Sequence, residues 1–393
     1  MRHYFFLILI IISSSCKAQQ EQNQAPDKTI RVGAESLDEY LPLLKDKKVA
    51  LLANHSSLVG KTHLVDTLLS NDVDIVKVFA PEHGFRGDRP DGATIDNTKD
   101  PKTGIPIVSM YGKNKSLPVE LLEGVDVLIF DIQDVGVRFF TYISAMAYAM
   151  KSCAASGTKF IVLDRPNPNG MLVDGPMLDS AFSSYVGALP LPAVHGLTVG
   201  ELAKMIHGEG WTGDKKCDLT IIPVKNYDHS MPYILPVKPS PNLPSDKSII
   251  LYPSLALFEG TAISVGRGTY KPFIQYGHPS FTDLKHTFTP VSIPDMSAKP
   301  PLENQKCYGY SFEDKDVKHE FTLKYLLDAY NKFEDKESFF LKTNYFNLLM
   351  GTDKTMQQIK AGMSEVAIKA TWKSDLDTYM VMRKKYLLYK DFE

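Results

Sequence analysis

Four short, uninterrupted apolar runs recur through the first half of the chain, and they restrict its fold more than any other feature. The runs are KVALLA at residues 48–53, DIVKVFA at 74–80, DVLIFD at 126–131 and KFIVLD at 159–164. Continuous rather than alternating apolar residues are typical of parallel strands that are buried on both faces. Because helical patterns such as that of residues 142–155 lie between the runs, the sequence predicts an α/β fold with a mostly parallel sheet.

The alternation of helix and strand patterns continues up to a proline-rich stretch. A capping box over residues 198–201 predicts a helix that extends through His207, and residues 219–225 have the pattern of a further strand. Four prolines then lie between residues 236 and 244. Since proline lacks a backbone donor and restricts its neighbours, this stretch indicates a linker or an ordered irregular crossover. We therefore expect a domain boundary near residue 245.

The remainder of the chain is predicted to be smaller and mixed in structure. Its patterns are those of amphipathic helices at residues 321–333 and 352–362, and of a helix or a strand at 375–389. We expect a larger α/β domain at residues 30–245 and a smaller α+β domain at residues 246–393.

The first residues have the composition of an export signal. Arg2 and His3 precede an apolar run over residues 4–12, and three serines lead directly to Cys16. This order predicts a signal peptide over residues 1–16, and the apolar run is too short for a membrane-spanning helix. A cysteine at this position is typical of a bacterial lipoprotein, although serine stands where leucine is usual; a plain signal peptide is the alternative. With a polar tether over residues 17–29, we expect a protein lipid-anchored to the cell envelope.

Composition and motifs exclude several classes of partner. The formal net charge is −2, so nothing favours nucleic acid. No GxGxxG follows the first strand and the sequence has no GxxxxGK[ST] loop, so no nucleotide is expected. HExxH and GxSxG are also absent, and we expect no cofactor and no metal. Beyond Cys16, three scattered cysteines favour buried free thiols, with one disulfide as the alternative.

Polar residues follow each of the four apolar runs. Because ligands bind outside the carboxyl ends of strands in an open α/β sheet, we expect these side chains to converge on one site. Such a site is rich in carboxylates, and glycoside hydrolysis requires a pair of them. The residues that follow the runs are Asn54, Glu82, His83, Asp131, Asp134, Asp164 and Arg165.

Longer motifs in a fixed order then give a resemblance. They include PEHGFRG, FDIQDVGVRFFTY, LDRPNPNG, VDGPML, HGLTVGELA, PSPNLP, YPSLALFEGT, SVGRGT and RKKYLLY, between residues 81 and 389. Their content and order closely resemble the NamZ-like exo-β-N-acetylmuramidases, from about residue 30 to the C-terminus. The resemblance implies a Rossmann-like domain, a smaller C-terminal domain and a cleft between them. It also implies release of N-acetylmuramic acid (MurNAc) from the non-reducing end of peptidoglycan glycan, with no nucleotide.

The resemblance suggests roles for individual residues. Glu82 of the PEHG motif is the expected principal acid or base, and Asp131 and Asp134 are candidates for the second carboxylate. Glu259 of the FEGT segment is a further catalytic candidate, with a turn carboxylate as the alternative. The candidate substrate contacts are Asn54, His83, Arg138, Asp164, Arg165, His195 and Arg267.

The expected substrate explains why cations stand among these candidates. MurNAc carries a lactyl carboxylate that N-acetylglucosamine (GlcNAc) lacks, and a site built to pair it discriminates strongly. We expect Arg138 or Arg267 to supply that cation, although Arg138 lies at helical spacing from Asp134 and an ion pair between them is the alternative. The candidate sugar-stacking residues, each alternatively a core residue, are Phe139, Phe140, Tyr142 and Tyr270.

Two other functions stay open at this stage. The first is a metal-dependent amidase or esterase acting on cell-wall material through His83, His195, Asp131 and Asp134. The second is a surface module that binds muropeptides without catalysis. Within the glycosidase reading, the mechanism is retaining, inverting, or assisted by the substrate's own 2-acetamido group.

Overall fold

The structure, a computed structural model, describes residues 28–81, 84–86, 98–110 and 115–393. Within these residues, seven strands form one sheet in the order β5-β6-β4-β1-β7-β8-β9, and only the edge strand β5 runs antiparallel. The strands of this sheet are β1 (Lys48–Ala53), β4 (Asp74–Ala80), β5 (Thr98–Lys99), β6 (Pro106–Ser109), β7 (Val127–Asp131), β8 (Lys159–Leu163) and β9 (Leu219–Ile222). Strands β2 (Leu58–Val59) and β3 (Thr62–His63) pair with each other in a separate antiparallel sheet.

The strand order is that of a Rossmann-like sheet. Numbered along the chain, the six parallel strands β1, β4, β6, β7, β8 and β9 lie in the order 3-2-1-4-5-6. The strand order reverses between the central neighbours β1 and β7, which pair from Val49 with Val127 to Ala53 with Asp131. The predicted α/β fold with a mostly parallel, Rossmann-like sheet is therefore confirmed.

The predicted strands coincide closely with the observed ones because their apolar runs are buried on both faces. All five residues of β7 are buried, as are five of the six in β1. Strand β9 ends at Ile222, three residues earlier than predicted. Pro223 follows it, and proline has no N–H group with which to continue the ladder.

Helices cover both faces of this sheet. The predicted capping box is present, since Thr198 Oγ1 accepts from Glu201 N and Thr198 N donates to Glu201. The helices of the first part are α1 (Leu37–Leu44), α2 (Leu64–Leu69), α3 (Tyr142–Ser156) and α4 (Val199–Gly208). Among the described residues, no helix has the length and apolarity required to cross a bilayer.

The C-terminal part combines a small antiparallel sheet with short helices. Its strands, in the order β10-β12-β11, are β10 (Gln275–His278), β11 (His286–Phe288) and β12 (Cys307–Ser311). Its helices are α5 (Asp246–Leu255), α6 (Lys324–Lys332), α7 (Lys336–Phe339), α8 (Tyr345–Met350), α9 (Lys354–Lys360), α10 (Glu365–Ala370) and α11 (Lys373–Lys384). The two predicted amphipathic helices correspond to α6 and α9, and the last stretch is a helix rather than a strand.

The two parts of the chain share one apolar core. Phe139 and Phe140 of the loop after β7 pack against Tyr252 of α5, with ring centroids 5.8 and 5.9 Å apart. The largest buried cluster contains residues from both the sheet and the C-terminal helices. The three cysteines that the structure describes are buried free thiols, as the sequence favoured; they are Cys153, Cys217 and Cys307.

Candidate active site

The loops after β1 and β7 meet at the point where the strand order reverses. Gln133 N donates to Ser56 Oγ over 3.0 Å, and Ser56 Oγ donates to Asn54 Oδ1 over 2.6 Å. Asn54 Nδ2 is buried and has no hydrogen-bond partner among the described residues. These two loops therefore bring polar groups together at the crevice where doubly wound sheets bind their ligands.

Asp131 is buried against Arg165 at this crevice. Its two carboxylate oxygens accept from Arg165 Nε at 2.6 Å and from an Arg165 terminal nitrogen at 2.9 Å. That terminal nitrogen also donates to the carbonyl of Leu58. Burial raises the pKa of Asp131, and the arginine charge opposes the shift. Because the two residues satisfy each other, the expected roles of Asp131 in catalysis and of Arg165 in substrate binding do not fit this geometry.

Asp134 has a different environment and keeps unused hydrogen-bonding capacity. Its Oδ2 accepts from Gly136 N at 2.6 Å and lies 3.5 Å from His195 Nε2. His195 Nδ1 accepts from Leu197 N, so Nε2 carries the proton in the neutral ring. Asp134 Oδ1 and His195 Nε2 are buried, and neither has a hydrogen-bond partner within the described part of the chain. Of the two aspartates, Asp134 is therefore the one whose carboxylate keeps an oxygen without a partner among the described residues.

Asp164 is a structural junction rather than a ligand contact. Its Oδ1 accepts from Gly200 N and Arg165 N, and its Oδ2 accepts from the hydroxyls of Thr198 and Tyr389. Burial raises the pKa of Asp164 to about 6, and the nearby Glu201 carboxylate adds to the shift. Because protein donors satisfy both oxygens, the expected contact of Asp164 with the substrate does not fit this geometry.

Arg138 is also a structural residue. It is 0% exposed, and its guanidinium donates to the carbonyls of Pro176, Leu191 and Leu349. These bonds tie the loop after β7 to the C-terminal part of the chain. Burial lowers the pKa of Arg138 to about 9, so the group is still a cation at neutral pH. Neither the expected pairing with a substrate carboxylate nor the alternative ion pair with Asp134 fits these contacts.

The loops that contain the motifs FDIQDVGVRFFTY, LDRPNPNG and HGLTVGELA pack against one another. Gly136 has φ +78°, and a Cβ there would lie 2.4 Å from the Asn167 side chain. His195 N donates to the Gly136 carbonyl, and Asn167 Nδ2 donates to the Leu197 carbonyl. These motifs therefore pack the loops against one another in addition to any role in chemistry. Asn167 was not among the expected site residues, although LDRPNPNG contains it.

Glu259 and Arg267 lie together in the C-terminal part. Arg267 Nε donates to Glu259 Oε1 over 2.6 Å, and the guanidinium lies 5.2 Å from the centroid of the Phe273 ring. Gly266 and Gly268, on either side of the arginine, have φ +79° and +77°. Because Thr269 N donates to the Gly266 carbonyl, SVGRGT forms a tight turn. The ion pair lines a cavity of about 350 Å³.

The four aromatic candidates separate into two groups. Phe139, Phe140 and Tyr142 are buried and belong to the core. Tyr270, which follows the SVGRGT turn, is 79% exposed. The core alternative therefore holds for the first three residues, and only Tyr270 has a face available to a sugar.

Glu82, His83 and Cys16 lie outside the described residues. A few residues further along the sequence, Arg86 donates to Asp100 over 2.8 and 2.7 Å and forms an ion pair with Asp66 at 3.3 Å. Sequence patterns gave no sign of this network. Among the described residues, no group of three or more His, Cys, Asp or Glu side chains has a metal-binding arrangement.

Comparisons with known proteins cover nearly the whole chain. Residues 49–247 match the family model for exo-beta-N-acetylmuramidase NamZ, N-terminal, and residues 250–389 match that for its C-terminal part. The peptidoglycan beta-N-acetylmuramidase NamZ of Bacillus subtilis (strain 168) is 36% identical over an alignment of 402 positions, which covers 94% of this chain and 94% of that protein.

Two crystal structures from Bacteroides fragilis NCTC 9343 have the same fold, and both are of DUF1343 family proteins. The first has a TM-score of 0.85 and 46% identity, and covers 92% of this chain and 99% of its own. The second has a TM-score of 0.79 and 27% identity, and covers 93% of this chain and 100% of its own.

Proposed function

The chain belongs to the exo-β-N-acetylmuramidase NamZ family, and on this premise we propose that it is a glycoside hydrolase acting on peptidoglycan. It releases MurNAc from the non-reducing end of glycan fragments. The observation that carries this proposal is the match of both family models, together with 36% identity to the Bacillus subtilis enzyme over 94% of the chain. No cofactor is required for this chemistry.

We assign the acid/base chemistry to Glu82 and Asp134. The PEHG motif places Glu82 directly after β4, which is the neighbour of β1 in the sheet. Asp134 follows β7, on the other side of β1, and keeps an unused carboxylate oxygen. Glu82 donates a proton to the leaving oxygen. Asp134 activates water, acts as nucleophile, or orients the 2-acetamido group, depending on which of the three mechanisms operates.

Incubation with the disaccharide MurNAc-β-1,4-GlcNAc tests the proposal. We expect the purified protein to release free MurNAc, detected by mass spectrometry. A GlcNAc-terminated analogue, run in parallel, is expected to stay intact because it lacks the lactyl group. Release that is unchanged by a chelator supports the glycosidase. Loss of release on chelation would favour the metal-dependent amidase or esterase, and binding without any product would favour the muropeptide-binding module.

We further propose that the protein is exported and lipid-anchored through Cys16. The support is the basic start at Arg2, the apolar run over residues 4–12 and the serines before the cysteine. One acyl chain binds a membrane only weakly, so a stable anchor implies more than one chain on the processed N-terminus.

Replacement of Cys16 by serine is expected to move the protein from the membrane fraction to the soluble fraction of the cell envelope. Metabolic labelling with an alkyne fatty acid is expected to mark the wild-type chain and not C16S. A wild-type protein that carries no label and is released without detergent would show that Cys16 only follows a plain signal peptide.

A further inference from the structure

The cavity beside Glu259 and Arg267 has the chemistry of a site for one side of a MurNAc residue. Its volume of about 350 Å³ lies at the lower end of the range for small-molecule sites. Most of its wall is apolar, and a few polar groups are placed within it. The apolar lining residues include Phe258, Ala262, Ile263, Val265, Leu302 and Leu341.

Arg267 supplies the positive charge of this cavity. Among the described residues that line the cavity, it is the only lysine or arginine. His278 also lines it, but burial lowers the pKa of that ring, which is therefore neutral at pH 7. The Arg267 side chain is 20% exposed, in contrast to the fully buried Arg138. Of the two arginines considered for the lactyl group, only Arg267 lines a cavity that a ligand can enter.

The position of the guanidinium is set by its neighbours. Glu259 Oε1 accepts from its Nε edge at 2.6 Å, and Phe273 presents a ring 5.2 Å away. The tight turn between Gly266 and Thr269 fixes the backbone on which Arg267 stands. A guanidinium held in this way can meet a carboxylate without first losing much side-chain freedom.

We propose that this cavity receives the lactyl side of the terminal MurNAc and that Arg267 pairs with its carboxylate, which sets the preference over GlcNAc. The lactyl and acetamido methyl groups lie against the apolar wall. Glu259 is then a positioning residue that orients Arg267. This inference rests on the proposed function, but it names the residue that selects the substrate.

Binding measurements with three variants test the inference. The ligands are MurNAc and its lactamide, in which a neutral carboxamide replaces the carboxylate, and calorimetry gives each Kd. We expect the wild-type protein to prefer MurNAc by about 30-fold or more, because only the carboxylate forms a charge pair with the partly buried Arg267. R267Q is expected to abolish the preference while the Kd of the lactamide stays the same, and R267K to retain part of it. K271Q is the matched control, since Lys271 belongs to the same loop and pairs with Glu313 at the surface.

The possible outcomes separate this inference from the proposed function. If wild type releases MurNAc but R267Q, still folded, keeps its preference for the carboxylate, or loses affinity for both ligands equally, Arg267 does not select the substrate. Wild-type protein that binds neither ligand at millimolar concentration overturns the inference as well. Failure of wild type to release MurNAc from the disaccharide counts against the proposed function instead.

Kinetics of E259Q test the positioning role. We expect KM for the disaccharide to change while kcat falls by less than about tenfold. Loss of a carboxylate that acts as general acid or base would lower kcat by more than that. A kcat reduced by several orders of magnitude would assign Glu259 to the chemistry and would overturn its role as a positioning residue.

Discussion

Replacing Glu82 with glutamine is expected to lower kcat for MurNAc release from MurNAc-β-1,4-GlcNAc by about 10²- to 10⁴-fold. Glutamine has the same shape as glutamate but cannot donate a proton to the departing sugar oxygen. The loss is expected to be smaller with a 4-nitrophenyl MurNAc glycoside, because nitrophenolate leaves without protonation. Steady-state kinetics on both substrates, with the thermal unfolding midpoint of each protein, measure the effect.

Two further variants show what Glu82 and Asp134 each contribute. D134N is expected to reduce kcat by a similar factor on both substrates, because the second carboxylate acts whatever the leaving group is. If added azide restores the rate of D134N, Asp134 acts as nucleophile or base. E209Q, at a surface carboxylate that bonds Tyr386, serves as the control and is expected to behave as wild type. An E82Q protein with nearly wild-type turnover would remove Glu82 from the acid/base role.

Replacing Arg165 with methionine is expected to lower the free energy of unfolding by about 3–5 kcal/mol, because Asp131 then lies buried without a counter-charge. Asp131 is fully buried, and both of its oxygens accept from Arg165. Burial already raises the pKa of Asp131, and removing the arginine raises it further. The variant therefore gains stability relative to wild type as the pH falls and the carboxyl takes up a proton. Urea unfolding at several pH values measures both effects.

Two controls separate the buried charge from the loss of packing. The double variant D131L/R165M removes the charge together with its partner, and we expect it to recover most of the lost stability. K159M breaks an exposed ion pair with Asp218 and is expected to cost less than about 1 kcal/mol. If R165M and K159M were equally stable at neutral pH, the Asp131–Arg165 pair would not hold the crevice together.

The elements around the site follow from local patterns. Strands β1 and β4 have the predicted bounds, and the capping box at Thr198 begins α4 as expected. Burial on both faces requires an uninterrupted apolar run, and a helix start requires acceptors for its first N–H groups, so both leave a signature within a few residues. The short helices of the C-terminal part were harder to predict, because packing rather than propensity stabilises such segments.

The roles of the polar residues required contacts between distant parts of the chain. Arg165 meets Asp131 from 34 residues away, and Tyr389 reaches Asp164 from 225 residues away. No local pattern records either partner. As a result, Asp131, Asp164, Arg138 and Arg165 all had plausible site roles from the sequence, and the folded chain uses them to join its loops.

What the sequence by itself determined is the order and type of the strands, the edge of the sheet where polar groups collect, and the motifs that give the family. These depend on apolar periodicity and on residues close together in the chain. Only the tertiary structure decided which of those polar groups keep hydrogen-bonding capacity for a ligand. The reason is that a buried charge must be satisfied, and its partner is fixed by packing between remote segments. Among the described residues of the crevice, that requirement leaves unused hydrogen-bonding capacity on Asn54, Asp134 and His195.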